Sequence, residues 1–333
     1  MQIGKASIAF DHPPVIIGRG NVVGKKEGDG PLGNLFDRIE EDAMFGMDSW
    51  EEAESRLQKE AAGRAIESAG LKTVDIRYLL AGDLLGQLIA TSFGVMELEI
   101  PMFGLYGACS TMGEAMTLGS ILVDGGYADR TVALASNHFA SAEKQFRFPL
   151  EYGNQRPLST TWTVTGSGAV VLAREGKGPR ITGVTPGKIV DMGLKDSMNM
   201  GACMAPSAAD TLCRHMQDFG RKPEDYDRII TGDLGNVGKL ILEEFMTERG
   251  MDIHGQHMDC GIEIFDDSSQ DTHSGGSGCG CSAVVLTSYV LPKLESGEWK
   301  RVLFVPTGAL LSTVSFNEGQ SVPGIAHALV IEA

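Results

Sequence analysis

A chain of 333 residues can bury a large core, and 42% apolar with 22% charged residues and no low-complexity tract exclude a disordered protein. Forty-four acidic against 28 basic residues leave a net charge of −16, which excludes a nucleic-acid surface and docking by charge on an anionic membrane. The first residues carry no signal-peptide pattern and no apolar stretch approaches the roughly 20 residues needed to cross a bilayer. A cytoplasmic protein is therefore expected, held at any membrane by protein partners.

The segment 24–50 ("GKKEGDGPLGNLFDRIEEDAMFGMDSW") lies outside any repeated unit and reads as an insertion, a candidate docking surface for such a partner. It leads into an amphipathic helix, "SWEEAESRLQKEAAGRAIESAG", closed by Gly70 where a C-cap belongs. The apolar run "IRYLLAG" then reads as a buried strand ending at Asp83. Open α/β sheets bind ligands at that edge, so Asp83 is a candidate ligand group, with a helix cap as the alternative. In "LYGACSTMGEAM" a run of small residues delivers Cys109 and Ser110 to the start of a buried helix. Unpaired N–H groups and the helix dipole there favour thiolate, so Cys109 is expected to have a lowered pKa; the alternative is a small buried residue.

The strand "TVALAS" follows, with His138 just past its end, and then the loop "KQFRFPLEYGNQRP", whose Arg147 and Arg156 are the nearest fixed positive charges for an anionic ligand. A glycine-rich strand, "TVTGSGAVVL", precedes the polar loop "REGKGPR", which divides the chain into halves 1–176 and 177–333. The six cysteines, at 109, 203, 213, 260, 279 and 281, form no CxxC pair, so reduced thiols and no metal site are expected.

The halves repeat one another. At a constant offset of 150 residues, Gly70, Lys72, Asp75 and the triplet Gly82, Asp83, Leu84 fall on Gly220, Lys222, Asp225 and Gly232, Asp233, Leu234. A weaker echo aligns residues 107–136 with 278–308, with Cys109 over Cys281. Each half thus runs helix, strand, helix, strand. This predicts helices packed on both faces of mostly parallel sheets, with two halves related by a pseudo-twofold axis and the helices after Cys109 and Cys281 at the centre.

These segments resemble the thiolase-like fold of thiolases and ketoacyl synthases. "GACSTMGEA" is similar to the nucleophile turn, "TVTGSGAVVL" to the strand closing the first half, and "RVLFVPTGALLS" to the C-terminal glycine-rich strand. The α/β fold so implied has five layers, α-β-α-β-α. More narrowly, "KEGDGPLGNLFD", "LLAGDLLGQ", "QFRFPLEYGNQRP", "MAPSAADT", "ITGDLGNVG", "GGSGCGCSAVV" and "VPGIAHALV" resemble the stage V sporulation protein AD family of spore-forming bacteria.

That resemblance implies a binding component for dipicolinic acid (pyridine-2,6-dicarboxylate), with calcium as the ligand's chelated ion and no resident cofactor. The protein would act with membrane proteins of the stage V sporulation A complex at the spore inner membrane, in sporulation and germination, as a homodimer. The site implied combines Asp83, Cys109, Ser110, His138, Arg147, Asp233, Asn236 and His273, with one ligand carboxylate over the helix after Cys109. The helpers of condensation are incomplete. Where initiating ketoacyl synthases read His-Gln-Ala-Asn this chain has Asp233, Leu234, Gly235, Asn236, and where thiolases have Cys-x-Gly it has Pro306, Thr307, Gly308. His273 in "THSGGSG" is one residue short of the thiolase His-Pro-x-Gly-x-Ser-Gly turn. A condensing enzyme is therefore not expected, and an acyltransferase accepting an acyl group on Cys109 is the alternative. Replacing Asp83 or Cys109 by Ala is expected to weaken ligand binding with little effect on unfolding.

Overall fold

A computed structural model describes residues 1–146 and 156–333. Ten strands and five helices position the site. In chain order they are β1 (Val15–Gly24), α1 (Trp50–Ser68), β2 (Tyr78–Gly82), β3 (Met102–Gly104), α2 (Thr111–Asp124), β4 (Arg130–Asn137), β5 (Gly166–Ala173), β6 (Arg180–Thr185), α3 (Met200–Phe219), β7 (Arg228–Thr231), α4 (Gly235–Glu248), β8 (His257–Asp259), α5 (Cys279–Val285), β9 (Arg301–Val305) and β10 (Ala328–Glu332). The spatial order is β3-β2-β4-β5-β1-β6-β10-β9-β7-β8. Read outward from the centre, β1-β5-β4-β2-β3 becomes β6-β10-β9-β7-β8 in the second half, the same path repeated. The two five-stranded sheets meet through a single antiparallel pair, Arg180 opposite Val15.

The expectation of mostly parallel sheets holds for four of the five strands in each half. The outer three pair in parallel, β4-β2-β3 and β9-β7-β8, and β1 and β6 point the same way as these. The inner strands β5 and β10 run antiparallel to both neighbours. The chain re-enters each sheet from the carboxyl ends of β4 and β9, so β5 and β10 run back beside them.

The period of two along each strand sorts the core into layers. Val132 and Leu134 of β4 turn to α1, while Ala133 and Ala135 join the central layer of α2 and α5. In the second sheet Val302 and Phe304 of β9 face that same centre, and Leu303 and Val305 pack under α3. The five layers are therefore α1, sheet, α2 with α5, sheet, and α3 with α4. The glycine-rich strand β5 allows the central layer to close. A Cβ on Gly168 would lie 2.4 Å from the Ala283 carbonyl oxygen of α5.

The helix ends follow the sequence. Ser49 caps α1 by accepting from Glu52 N–H, and its own hydroxyl donates to the Glu52 carboxylate at 3.0 Å. Gly70 and Gly220 take left-handed conformations just past α1 and α3, at φ +69° and +62°. Among the described residues, no helix is long and apolar enough to cross a membrane.

The insertion is tied to the site half. Ile39 and Glu40 pair with the end of β1, and the Asn21 and Asp37 side chains each accept from the other's backbone N–H at 2.9 Å. Glu27 is buried there and accepts from Thr165 N–H at 2.9 Å. Burial outweighs that donor and raises its carboxyl to about 7. The folded protein therefore holds a proton that the unfolded chain releases near 4.5, and the stability so gained is lost as pH rises through about 7. Glu27→Gln keeps the acceptor and removes the titration, so thermal melts from pH 4 to 8 should show the wild type losing stability relative to the variant across that window.

Candidate functional site

The site begins in the turn between β3 and α2. Leu105 N–H donates to Ala81 O at 2.9 Å, holding the chain against the end of β2. Gly107 to Ser110 then fold so tightly that Ala108 takes φ +50°, a left-handed conformation costly for a residue with a Cβ. Hydroxyls stabilise it: Ser110 Oγ donates to Gly107 O and Thr111 Oγ1 to Ala108 O, both at 2.7 Å. The second half backs the turn through Gly308, where a Cβ would stand 2.4 Å from Gly107 O. Cys109 is thereby presented at a cavity of about 40 Å³. Its walls are Leu84, Tyr106, Phe146, Met200 and Leu311, and its polar lining includes Glu143, Thr163 and Ser277.

Across the pseudo-symmetry, Asp233 at the end of β7 meets this thiol. Its Oδ1 accepts from Thr307 Oγ1 at 2.9 Å, and its Oδ2 accepts from Gly278 N–H at 2.9 Å and Ser277 Oγ at 3.3 Å. The Cys109 thiol lies within electrostatic reach of the same carboxylate. Burial raises Asp233 to about 6 even so, the Gly278 N–H and the thiol pulling the other way. Burial and the Asp233 charge push the Cys109 thiol well above its ordinary range. The expected lowering by a helix terminus is thus corrected. Helix α2 starts two residues later, at Thr111, and the sulfur is buried near a carboxylate. Among the described residues, no histidine lines the cavity.

The other expected site residues are distributed differently. Asp83, at the repeat position of Asp233, turns away from the sulfur and closes its own loop. It accepts from Leu85 N–H and Thr91 N–H at 2.7 Å each and from the Thr91 hydroxyl. Burial raises its carboxyl, as burial and the Asp83 charge raise Glu54, which accepts from Ser136 Oγ and Ser141 Oγ at 2.8 and 2.7 Å. Ser110 is spent on the turn. His138 packs 5.3 Å from Trp50, with Nδ1 accepting from Ala140 N–H and Nε2 donating to Ala43 O; burial lowers its pKa, in keeping with this neutral tautomer. Asn236 donates to Asp267 in the exposed first turn of α4. His273, at φ +58°, pairs with Pro157 O at 3.0 Å and Asp271 at 3.2 Å. Arg147 lies outside the described residues.

Of the expected set, then, the structure brings Cys109 and Asp233 near one another. Ser277, Gly278 and Thr307, which hold Asp233, were missed by sequence reasoning. Thr307 carried a readable signal, since it stands in the Pro-Thr-Gly that replaces a thiol-bearing motif and offers a hydroxyl where one is needed.

Two outcomes follow. Asp83→Ala leaves two buried N–H groups and a hydroxyl without their acceptor, so urea unfolding should show a loss of about 3 kcal/mol, against the expectation of an unchanged fold. Asp233→Asn removes the charge facing the thiol; alkylation of Cys109 by iodoacetamide, followed by mass spectrometry from pH 7 to 10, should begin at lower pH than in the wild type.

The fold is shared with known proteins. The fold is similar to that of the tetronic acid condensing enzyme AbyA1, with a TM-score of 0.62 at 16% identity, covering 96% of this chain and 100% of that one. It is likewise similar to 3-oxoacyl-[acyl-carrier-protein] synthase III from Aquifex aeolicus VF5, with a TM-score of 0.59 at 14% identity, covering 96% and 100%. OleA from Xanthomonas campestris, bound with cerulenin, aligns at a TM-score of 0.61 and 15% identity over 98% of both chains. In sequence, Stage V sporulation protein AD of Bacillus subtilis (strain 168) is 44% identical over 329 residues, 99% of this chain and 97% of that protein. The family described as Stage V sporulation protein AD matches residues 4–332, and the chain belongs to that family.

Proposed function

We propose that this chain is a binding protein of sporulation whose ligand is dipicolinic acid, exchanged with membrane proteins of the stage V sporulation A complex at the inner membrane of the spore. The observation that carries the reading is the approach of Asp233 to Cys109. Condensation requires donors aimed at a developing oxyanion and a nucleophile free to ionise. Here a carboxylate lies near a buried sulfur, and burial together with that charge disfavours the thiolate.

The cavity supports binding of a flat ring at its mouth. About 40 Å³ holds about three waters and no acyl chain. Tyr106, 45% exposed, and Phe146 offer aromatic walls to a pyridine ring. A ligand arriving as its calcium chelate carries little net charge, which suits a protein of net charge −16. A homodimer is part of the reading. Edge strand β3 exposes Met102 and Phe103, at 38% and 47%, beside an unpaired backbone edge, which a second copy would cover.

Calorimetry of the purified chain with dipicolinate, with and without calcium, should show saturable binding that Tyr106→Ala weakens about tenfold or more. Absence of heat in both conditions removes the reading. A mass adduct on Cys109 after incubation with acyl-coenzyme A would instead establish the acyltransferase alternative.

A further inference from the structure

Among the described residues no cation lines the Cys109 cavity, and two cations lie on the adjoining segment. Trp162 stacks on Phe139 with ring centroids 4.0 Å apart and planes 9° apart. Two cations share this one indole: Lys26 Nζ stands 4.2 Å and the Arg156 guanidinium carbon 4.8 Å from its centroid. They come from distant parts of the chain and repel one another on a common ring. Arg156 is only 6% exposed. Its Nη2 donates to the Asp271 carbonyl and carboxylate at 3.1 Å each, while its Nη1, fully buried, has no partner among the described residues. Lys26 Nζ donates to the Gln270 carbonyl, a neutral acceptor. The other nearby carboxylate, Glu27, is engaged by Thr165 N–H. A buried guanidinium N–H left unmatched is costly, and a second ammonium beside it raises the cost. Both effects reverse when an anionic oxygen enters.

The cluster adjoins the cavity through the chain itself. Trp162 precedes Thr163, a cavity residue, and the strand Trp162–Thr163 pairs with Gly276–Ser277, whose Ser277 holds Asp233. Phe139 opens the helix Phe139–Phe146, whose Ala142, Glu143 and Phe146 line the cavity. We propose that Lys26 and Arg156, mounted on Trp162, form the anion subsite that takes a carboxylate of the ligand. This rests on the dipicolinate reading and assigns the recognition of charge to residues beyond the sulfur: Arg156 supplies a directed N–H and Lys26 a point charge, while the aromatic pair holds both in place.

The test is calorimetry on the full chain with three probes: dipicolinate, isophthalate, which keeps both carboxylates without the ring nitrogen, and inorganic phosphate. Circular dichroism confirms that each variant is folded. Arg156→Gln should weaken dipicolinate binding about 10- to 100-fold, Lys26→Gln less, and Arg156→Lys should recover part of the loss. Lys300→Gln, an exposed cation elsewhere, should change nothing. If dipicolinate binds the wild type and both the Arg156 and Lys26 variants equally, the subsite is wrong and the binding function stands. If dipicolinate gives no heat, the binding function fails. The subsite then requires isophthalate or phosphate to bind the wild type and not Arg156→Gln, and is overturned if neither does.

Discussion

The approach of the Cys109 thiol to the Asp233 carboxylate brings the two halves of the molecule together at the cavity. The sulfur comes from a turn of the first half that Gly308 of the second half supports from behind, and the carboxylate comes from the end of a second-half strand. Thr307, Ser277 and Gly278 all aim donors at Asp233, so the carboxylate is held in a fixed orientation before any ligand arrives. Such an approach demands that the sheets close tightly on the shared helical layer, which is why glycines stand where α5 crosses β5 and where the last strands approach the Cys109 turn. Burial of the sulfur beside that carboxylate disfavours its thiolate.

Duplication explains the architecture and also shows how little it constrains function. Asp83 and Asp233 occupy the same place in the repeat, each one residue past a glycine at the carboxyl end of a buried strand. The first meets the amides of its own loop and Thr91; the second meets a thiol and two hydroxyls from elsewhere. Pseudo-symmetry places the backbones alike, while loops of different length decide what each carboxylate sees. Asp83 is consequently enclosed near a polar network of Thr91, Gln58, Ser136 and Glu54, while Asp233 lies near Cys109.

Charge is arranged in the same divided way. The chain is strongly acidic as a whole, yet cations gather on one tryptophan beside the cavity, where aromatic faces substitute for some of the water they have lost. On the function proposed above, aromatic walls at the cavity and cations beside it would serve the ring and the ionised edges of one ligand.

The sequence by itself determined the duplication, the buried strands, the helix ends at Gly70 and Gly220, and the placing of Cys109 at a turn beside a helix, because these depend on local periodicity and on residues with restricted backbones. It also carried the family resemblance, since matching segments run through both halves. Only the tertiary structure decided that β5 and β10 run antiparallel, because strand direction depends on where the chain re-enters the sheet. It alone decided that Asp233 and not Asp83 meets the sulfur, that His138 and Asn236 turn to local partners, and that Lys26 and Arg156, 130 residues apart, share one ring. Side-chain direction at a strand end or in a loop is set by neighbours distant in sequence, and no spacing along the chain encodes it.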